Sequence, residues 1–281
     1  MHTPTTVELR RGVLAVSVLC DVDAEPGRVG VALPGSPPVL VPWGECLRAL
    51  GGRDPESEAG RSRLSAWLLA RRWAADAGPD LLTDLLRPVG LPVGHLLHPG
   101  LDWVCERVLG EALDLGFGAV GLCAADPDAV VLLPRTALDA AGLSGGSHWP
   151  RARRYLEDMG ALAAERLSRD PRGQLRPVGD CDVVTLLGAR SLRAGLVGAD
   201  GGMTTAVVPL RRRGWTRLTH IDPAFGPAAA AATEPTERGF ARPLLVTVDE
   251  VTVVPTGGRP GQTALQGPAA GVQWARDALQ R

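Results

Sequence analysis

Lysine and asparagine are both missing from these 281 residues. Every one of the thirty basic residues is therefore an arginine. Without lysine there is no Schiff-base amine and no phosphate loop built on Gly-Lys-Ser/Thr. Without asparagine there is no N-glycosylation acceptor and no asparagine amide for an oxyanion hole. Isoleucine occurs once (Ile221), tyrosine once (Tyr155) and phenylalanine three times. Residues with AT-rich codons are the scarce ones, which points to a gene from a GC-rich bacterial genome. The five cysteines (Cys20, Cys46, Cys105, Cys123, Cys181) are odd in number and widely spread, with no CxxC pair. Four lie in apolar or helical patterns, where a free thiol behaves as a small hydrophobe. That favours a reducing, cytoplasmic setting over a disulfide framework.

Long apolar runs are missing too. None approaches the roughly 18 residues that a transmembrane helix needs, so no membrane partner is expected. Arg10-Arg11 before the apolar run 13–20 imitates a signal peptide ending at a lipobox cysteine. The run is short, Leu19 stands where a small residue is wanted, and Asp21 and Asp23 follow at once. A buried strand explains the segment better. An excess of either charge is also lacking. Thirty basic residues face thirty-one acidic ones, a net charge of -1 that argues against a dedicated nucleic-acid binder.

What is present suits a globular chain: 45% of residues are apolar and 22% charged. A chain of this length buries about 75% of its unfolded surface, enough for a full core without staples. The first forty residues read as strands at 13–22, 29–33 and 39–41, punctuated by Pro-Gly and Gly-Ser-Pro-Pro turns. The period then becomes helical at 45–50, 62–77 and 80–86. Residues 87–100 read as a Pro/Gly/His loop, and 101–115 as a helix ended by Gly116 and Gly118. Residues 119–123 and 129–133 flank Ala125-Asp126-Pro127-Asp128 as a hairpin. A short helix at 136–141 precedes a long one at 150–169, with Ser147 as its expected cap. In the last third, 175–178 is a strand, and Asp182 caps a helix over 183–197. Strands at 204–210 and 215–218 are joined by Arg211, Arg212 and Arg213, an Ala-rich helical turn covers 227–233, and 244–248 and 251–254 form a hairpin. The expected class is α+β, with mixed, mainly antiparallel sheets and a helical middle segment. Residues 1–254 form one such domain, divisible into intimate subdomains 1–115 and 116–254. Residues 255–281 read as a flexible linker and a short C-terminal helix carrying Trp274.

Several motifs fit a chemistry by spacing alone. Residues 116–121 match GxGxxG, but a dinucleotide site needs strand, loop, then helix, and here the expected order is reversed. Residues 142–146 match GxSxG, and Asp182 and His220 follow in hydrolase order. A nucleophile elbow needs a strand before it, whereas an Ala-rich helix precedes this one. His95 and His98 are three apart, ahead of Cys105 and Glu106, so they are the metal candidates. His220, Asp222, Asp180 and Asp182 are the catalytic candidates, imidazole as ligand or base and carboxylate as orienter. The structural alternative is helix caps, turns, and imidazoles bonded to backbone carbonyls. Arg211, Arg212 and Arg213, lying between strands, are the best candidates for contact with an anion. The seven tryptophans supply most of the aromatic packing.

No motif keeps a chemistry once its context is weighed, and the sequence identifies no cofactor. The expectation is therefore a soluble cytoplasmic bacterial protein acting through protein–protein interaction or regulation, its activity unassigned. A protein partner or a second copy of the chain is the expected partner. The alternative is a small-molecule or metal-dependent enzyme using the His/Asp cluster.

Overall fold

The computed structural model describes residues 4–33, 38–100, 103–122, 130–143, 145–170, 172–198, 202–216, 228–229, 231 and 233–254. The fold is α+β, with three mainly antiparallel sheets and helices among the described residues. The chain divides into two compact units. Unit 1 comprises Met1–Arg87, Leu96–Cys105 and Gly116–Ala152; unit 2 comprises Pro88–His95, Glu106–Leu115 and Arg153–Arg281.

Unit 1 begins with a helix, α1 (Thr6–Cys20), where strands were expected at 13–22. A capping box starts it: Thr5 Oγ1 accepts the Glu8 N–H while the Glu8 carboxylate takes the Thr5 N–H at 2.7 Å. Leu9, Val13 and Val16 then fall on one buried face at helical spacing. Valines at 13, 16 and 18 imitate a strand, but the Thr-x-x-Glu signal sets the helical start. The strands β1 (Glu25–Pro26), β2 (Gly30–Leu33) and β3 (Val39–Pro42) form an antiparallel sheet in that order. Helix α2 (Trp43–Leu50) stops at Gly51, whose φ of 59° closes the last turn. Helix α3 (Glu58–Leu85) is capped by the Ser57 side chain and broken at Gly78 (φ 72°), just before Pro79. The break separates the two helices expected at 62–77 and 80–86. Leu9, Val13, Val31, Val41, Leu50, Leu64 and Leu68 make the core of this part.

Residues 101–115 are not a helix where described. They form an isolated antiparallel bridge at Trp103 to Pro134, then β5 (Cys105–Val108), a turn, and the start of β6 (Leu113–Val120). The turn holds positive φ at Leu109 (59°), Gly110 (61°) and Glu111 (66°). Leu113 to Ala119 are all buried, and a strand buried on both faces reads as an unbroken apolar run that periodicity cannot tell from a helix. Gly116 and Gly118 therefore lie inside a strand rather than at a helix end. In unit 1 the Trp103 indole N–H donates to the Phe117 carbonyl at 2.8 Å, and its ring lies against Gly116. Gly118, Ala119 and Val120 pair antiparallel with β7 (Val130–Leu132), the hairpin expected there; its turn lies outside the described residues. Helix α4 (Arg135–Ala140) and Leu82, Phe117, Leu133 and Leu138 complete a second cluster.

Unit 2 opens in β4 (Leu86–Pro92), a strand where a loop was expected. The Gly90 N–H donates to Thr185 Oγ1 at 2.8 Å, and a Cβ at Gly90 would come within 2.9 Å of the Thr185 Cα. That close approach explains a glycine inside a strand. The strands of this sheet run in the order β4-β6-β5, with β7 on β6. Helix α5 (Gly145–Arg169) starts at Gly145, so Ser147 is inside it rather than its cap. The main sheet of unit 2 has the order β12-β11-β9-β10-β8, all neighbours antiparallel. It comprises β8 (Gln174–Leu175), β9 (Met203–Leu210), β10 (Arg213–Trp215), β11 (Leu244–Thr247) and β12 (Val251–Val253). The helix expected over 183–197 is two, α6 (Val183–Leu186) and α7 (Arg190–Val197), interrupted around Gly188. Val183, Leu186, Leu192, Ala206, Val208, Leu244 and Val246 are buried in this unit.

One test of the unit 1 packing follows. A Cβ at Gly116 would collide with Trp103 Cε2 and would sit 2.8 Å from the Val104 carbonyl oxygen. Gly116→Ala is expected to destabilise the chain by about 1–3 kcal/mol, the cost of overpacking. An unchanged thermal midpoint would show that the tryptophan does not rest on this strand.

Candidate anion-binding site

The last turn of α5 presents Arg166 to solvent and ends at Asp170. The Asp170 carboxylate accepts the N–H groups of Arg172 (2.9 Å) and Gln174 (3.0 Å). The Arg172 amide bond, helped by the Gln174 amide and by the charges of Arg176 and Arg172, holds this carboxyl below its usual range despite some desolvation. The carboxylate thereby fixes the turn leading into β8. There Leu175 pairs with Gly214 and Gln174 with Trp215. Arg176 follows directly after Leu175, and Arg213 directly precedes Gly214 at the start of β10. Gln174 Oε1 accepts from Arg176 Nε (3.0 Å) and Nη2 (2.6 Å), which fixes the plane of that guanidinium.

Two grooves adjoin at Arg176 and Pro177. One, of roughly 360 Å³, is lined by Arg176, Pro177, Leu210, Arg212 and Arg213. The other, of roughly 560 Å³, lies between the end of α5 and β8 and includes Arg166, Asp170, Arg172, Gln174 and Arg176 in its lining. Together the linings hold five arginines and one acid, Asp170. Like charges facing each other across strands are unfavourable unless something of opposite sign lies near. Neither Arg166 nor Arg212 makes an ion pair or a side-chain hydrogen bond among the described residues. The guanidinium fork suits bidentate contact with phosphate or carboxylate oxygens.

Of the three sequence-derived arginines, Arg212 and Arg213 line the smaller groove and Arg211 does something else. Arg211 Nη2 pairs with Asp182 Oδ2 at 2.6 Å, both side chains largely buried. Its carbonyl accepts the Val183 and Val184 N–H groups (2.8 and 3.3 Å), while Asp182 Oδ1 accepts the Thr185 N–H at 2.7 Å. Asp182 and Arg211 thus cap α6 jointly. Asp180 has a separate partner: the Tyr155 hydroxyl donates to Asp180 Oδ2 and accepts the Asp180 N–H, each at 3.2 Å. That turn is closed by the Val178–Cys181 bridge and Gly179 at φ 55°.

His95, in unit 2, is buried and donates from Nε2 to the Arg238 carbonyl at 2.9 Å. His98, in unit 1, accepts the Gly100 N–H at Nδ1 (3.0 Å). A neutral imidazole accepting at Nδ1 carries its hydrogen on Nε2. That Nε2 faces Cys105 Sγ at 3.9 Å. The Trp103 ring meets the His98 ring edge-on at 5.2 Å. His220 and Asp222 lie outside the described residues, as does Ser144 of the GxSxG match.

Sequence reasoning missed Arg166, Arg172 and Arg176. A period-2 signal existed, since Arg172, Gln174 and Arg176 alternate with Gly173 and Leu175. Its meaning depends on β10, whose pairing to β8 no local pattern announces. Among the described residues no helix is long and apolar enough to cross a membrane. Compared with family models, curated proteins and solved structures, the chain matches none.

Next to this site, Glu157 of α5 caps α7, accepting the N–H groups of Arg190 (2.8 Å) and Ser191 (2.9 Å). Desolvation raises the Glu157 pKa, but the amide bonds from Ser191 and Arg190 outweigh it and leave the carboxyl below its ordinary value. A carboxyl depressed in the folded state adds stability above its unfolded pKa, and that stability is lost as pH falls through the folded value. At neutral pH, Glu157→Gln is expected to cost about 1 kcal/mol, as loss of a helix cap does. The difference from the parent chain should shrink as pH falls below the usual glutamate range. A difference constant from neutral to strongly acid pH, in urea melts, would contradict the ionised cap.

Proposed function

We propose that this chain works by binding, and that the group it recognises is an oxyanion seated among Arg166, Arg172, Arg176, Arg212 and Arg213. One observation carries this reading. Five arginines from the end of α5, from the two flanks of β8, from the β9–β10 turn and from the start of β10 line two adjoining grooves that hold a single acid. That acid accepts two backbone amides and lies close enough to Arg172 and Arg176 to interact with their charges, while Arg166 and Arg212 make no ion pair or side-chain hydrogen bond among the described residues. The reading keeps the chain among proteins that act by recognition, the class expected from its sequence, and gives the recognised group a chemistry.

Inorganic phosphate tests it. At a free concentration a hundred times its Kd, a ligand binding only the folded state adds about 2.7 kcal/mol of stability. Phosphate should therefore raise the thermal midpoint above that in chloride of equal ionic strength, saturably. Arg176→Ala should weaken phosphate binding in calorimetry about tenfold, the loss of one charge-assisted contact. A midpoint that tracks ionic strength alone, with no measurable heat, would remove the proposal.

A further inference from the structure

The two grooves share one residue pair, Arg176 and Pro177, and are otherwise lined by different arginines. Arg212 and Arg213 belong to one, Arg166 and Arg172 to the other. We infer that the ligand carries two linked phosphoryl groups, one in each groove, with the Arg176 guanidinium between them. The inference rests on the oxyanion reading above and adds the valence of the ligand.

Donor geometry supports it. A guanidinium has five N–H donors, and Gln174 takes two of those of Arg176, from Nε and Nη2. Three remain, on the edges that Gln174 does not cover. A clamped plane with donors left on two edges suits contact with two neighbouring anionic groups, whereas a lone phosphate would use one edge.

Charge supports it as well. Five arginines less one aspartate leave an excess of +4 among the lining residues. One phosphoryl group carries about −1.5 to −2 at neutral pH, and two linked groups carry more than one, so the pair comes closer to that excess. Size agrees too. The smaller groove, at roughly 360 Å³, has the volume of about a dozen waters at ~30 Å³ each. One orthophosphate would leave most of either groove to solvent.

The test compares inorganic pyrophosphate with inorganic phosphate, and ADP with AMP, by calorimetry on the full chain. At least one pair should show a preference of about tenfold or more for the diphosphate, as expected for an added bidentate contact. Arg212→Ala alone, and Arg166→Ala with Arg172→Ala, should each bring that preference below about threefold. These three side chains are exposed, so the thermal midpoint without ligand should stay unchanged and report an intact fold. Phosphate binding with no preference in either pair would overturn the two-group ligand while leaving the oxyanion reading standing. A preference that survives either substitution would overturn it too. Binding of none of the four compounds would remove both readings.

Discussion

The contact between Arg211 and Asp182 is the constraint on which the rest of unit 2 depends. One residue ties the β9–β10 turn to the start of α6 twice over, by its guanidinium to a carboxylate and by its carbonyl to two amides. A four-residue helix such as α6 cannot hold its own amides in place, since most of them are first-turn groups with no internal acceptor. The tie supplies those acceptors from a different part of the chain. It also decides what the next two residues do. With Arg211 turned inward on Asp182, the turn delivers Arg212 and Arg213 to the groove beside β8. A run of three identical residues is thus divided between structure and surface by one buried carboxylate.

The same economy marks the other side of the groove. Asp170 and Gln174 are both polar residues that a reader of composition would assign to solvent. Here each makes bonds that orient an arginine: Asp170 shapes the turn carrying Arg172, and Gln174 fixes the plane of Arg176. Ordering of this kind removes side-chain freedom before any ligand arrives, which lowers the entropic cost of binding.

Much of the fold was legible in the sequence where local signals are self-contained. The break at Gly78-Pro79, the cap at Asp182, the stop at Gly51 and the hairpin of β11 and β12 each follow from residues within one turn of the chain. Reading failed where the local signal was ambiguous. Valine-rich α1 looks like a strand unless the Thr5–Glu8 box is weighed first. Leu113 to Val120, buried almost throughout, has no polar face to reveal its period. The candidate site was half legible for a related reason. Arg212 and Arg213 stood out as a charge run between strands, but Arg176 acquires its place from the pairing of the two residues before it with β10. Asp180, Asp182 and His95 matched chemical patterns, and each has a structural partner that no spacing rule reveals.

The clamp on Arg176 ties the composition of the chain to the shape of its site. A flat cation can be pinned along one side and still offer its other sides to incoming oxygen atoms. An ammonium on a flexible stem is a point charge whose three N–H groups radiate from one nitrogen, so it cannot make a paired, planar contact along one flat side. At position 176, then, swapping one cation for the other would keep the charge and lose the paired bonds to Gln174.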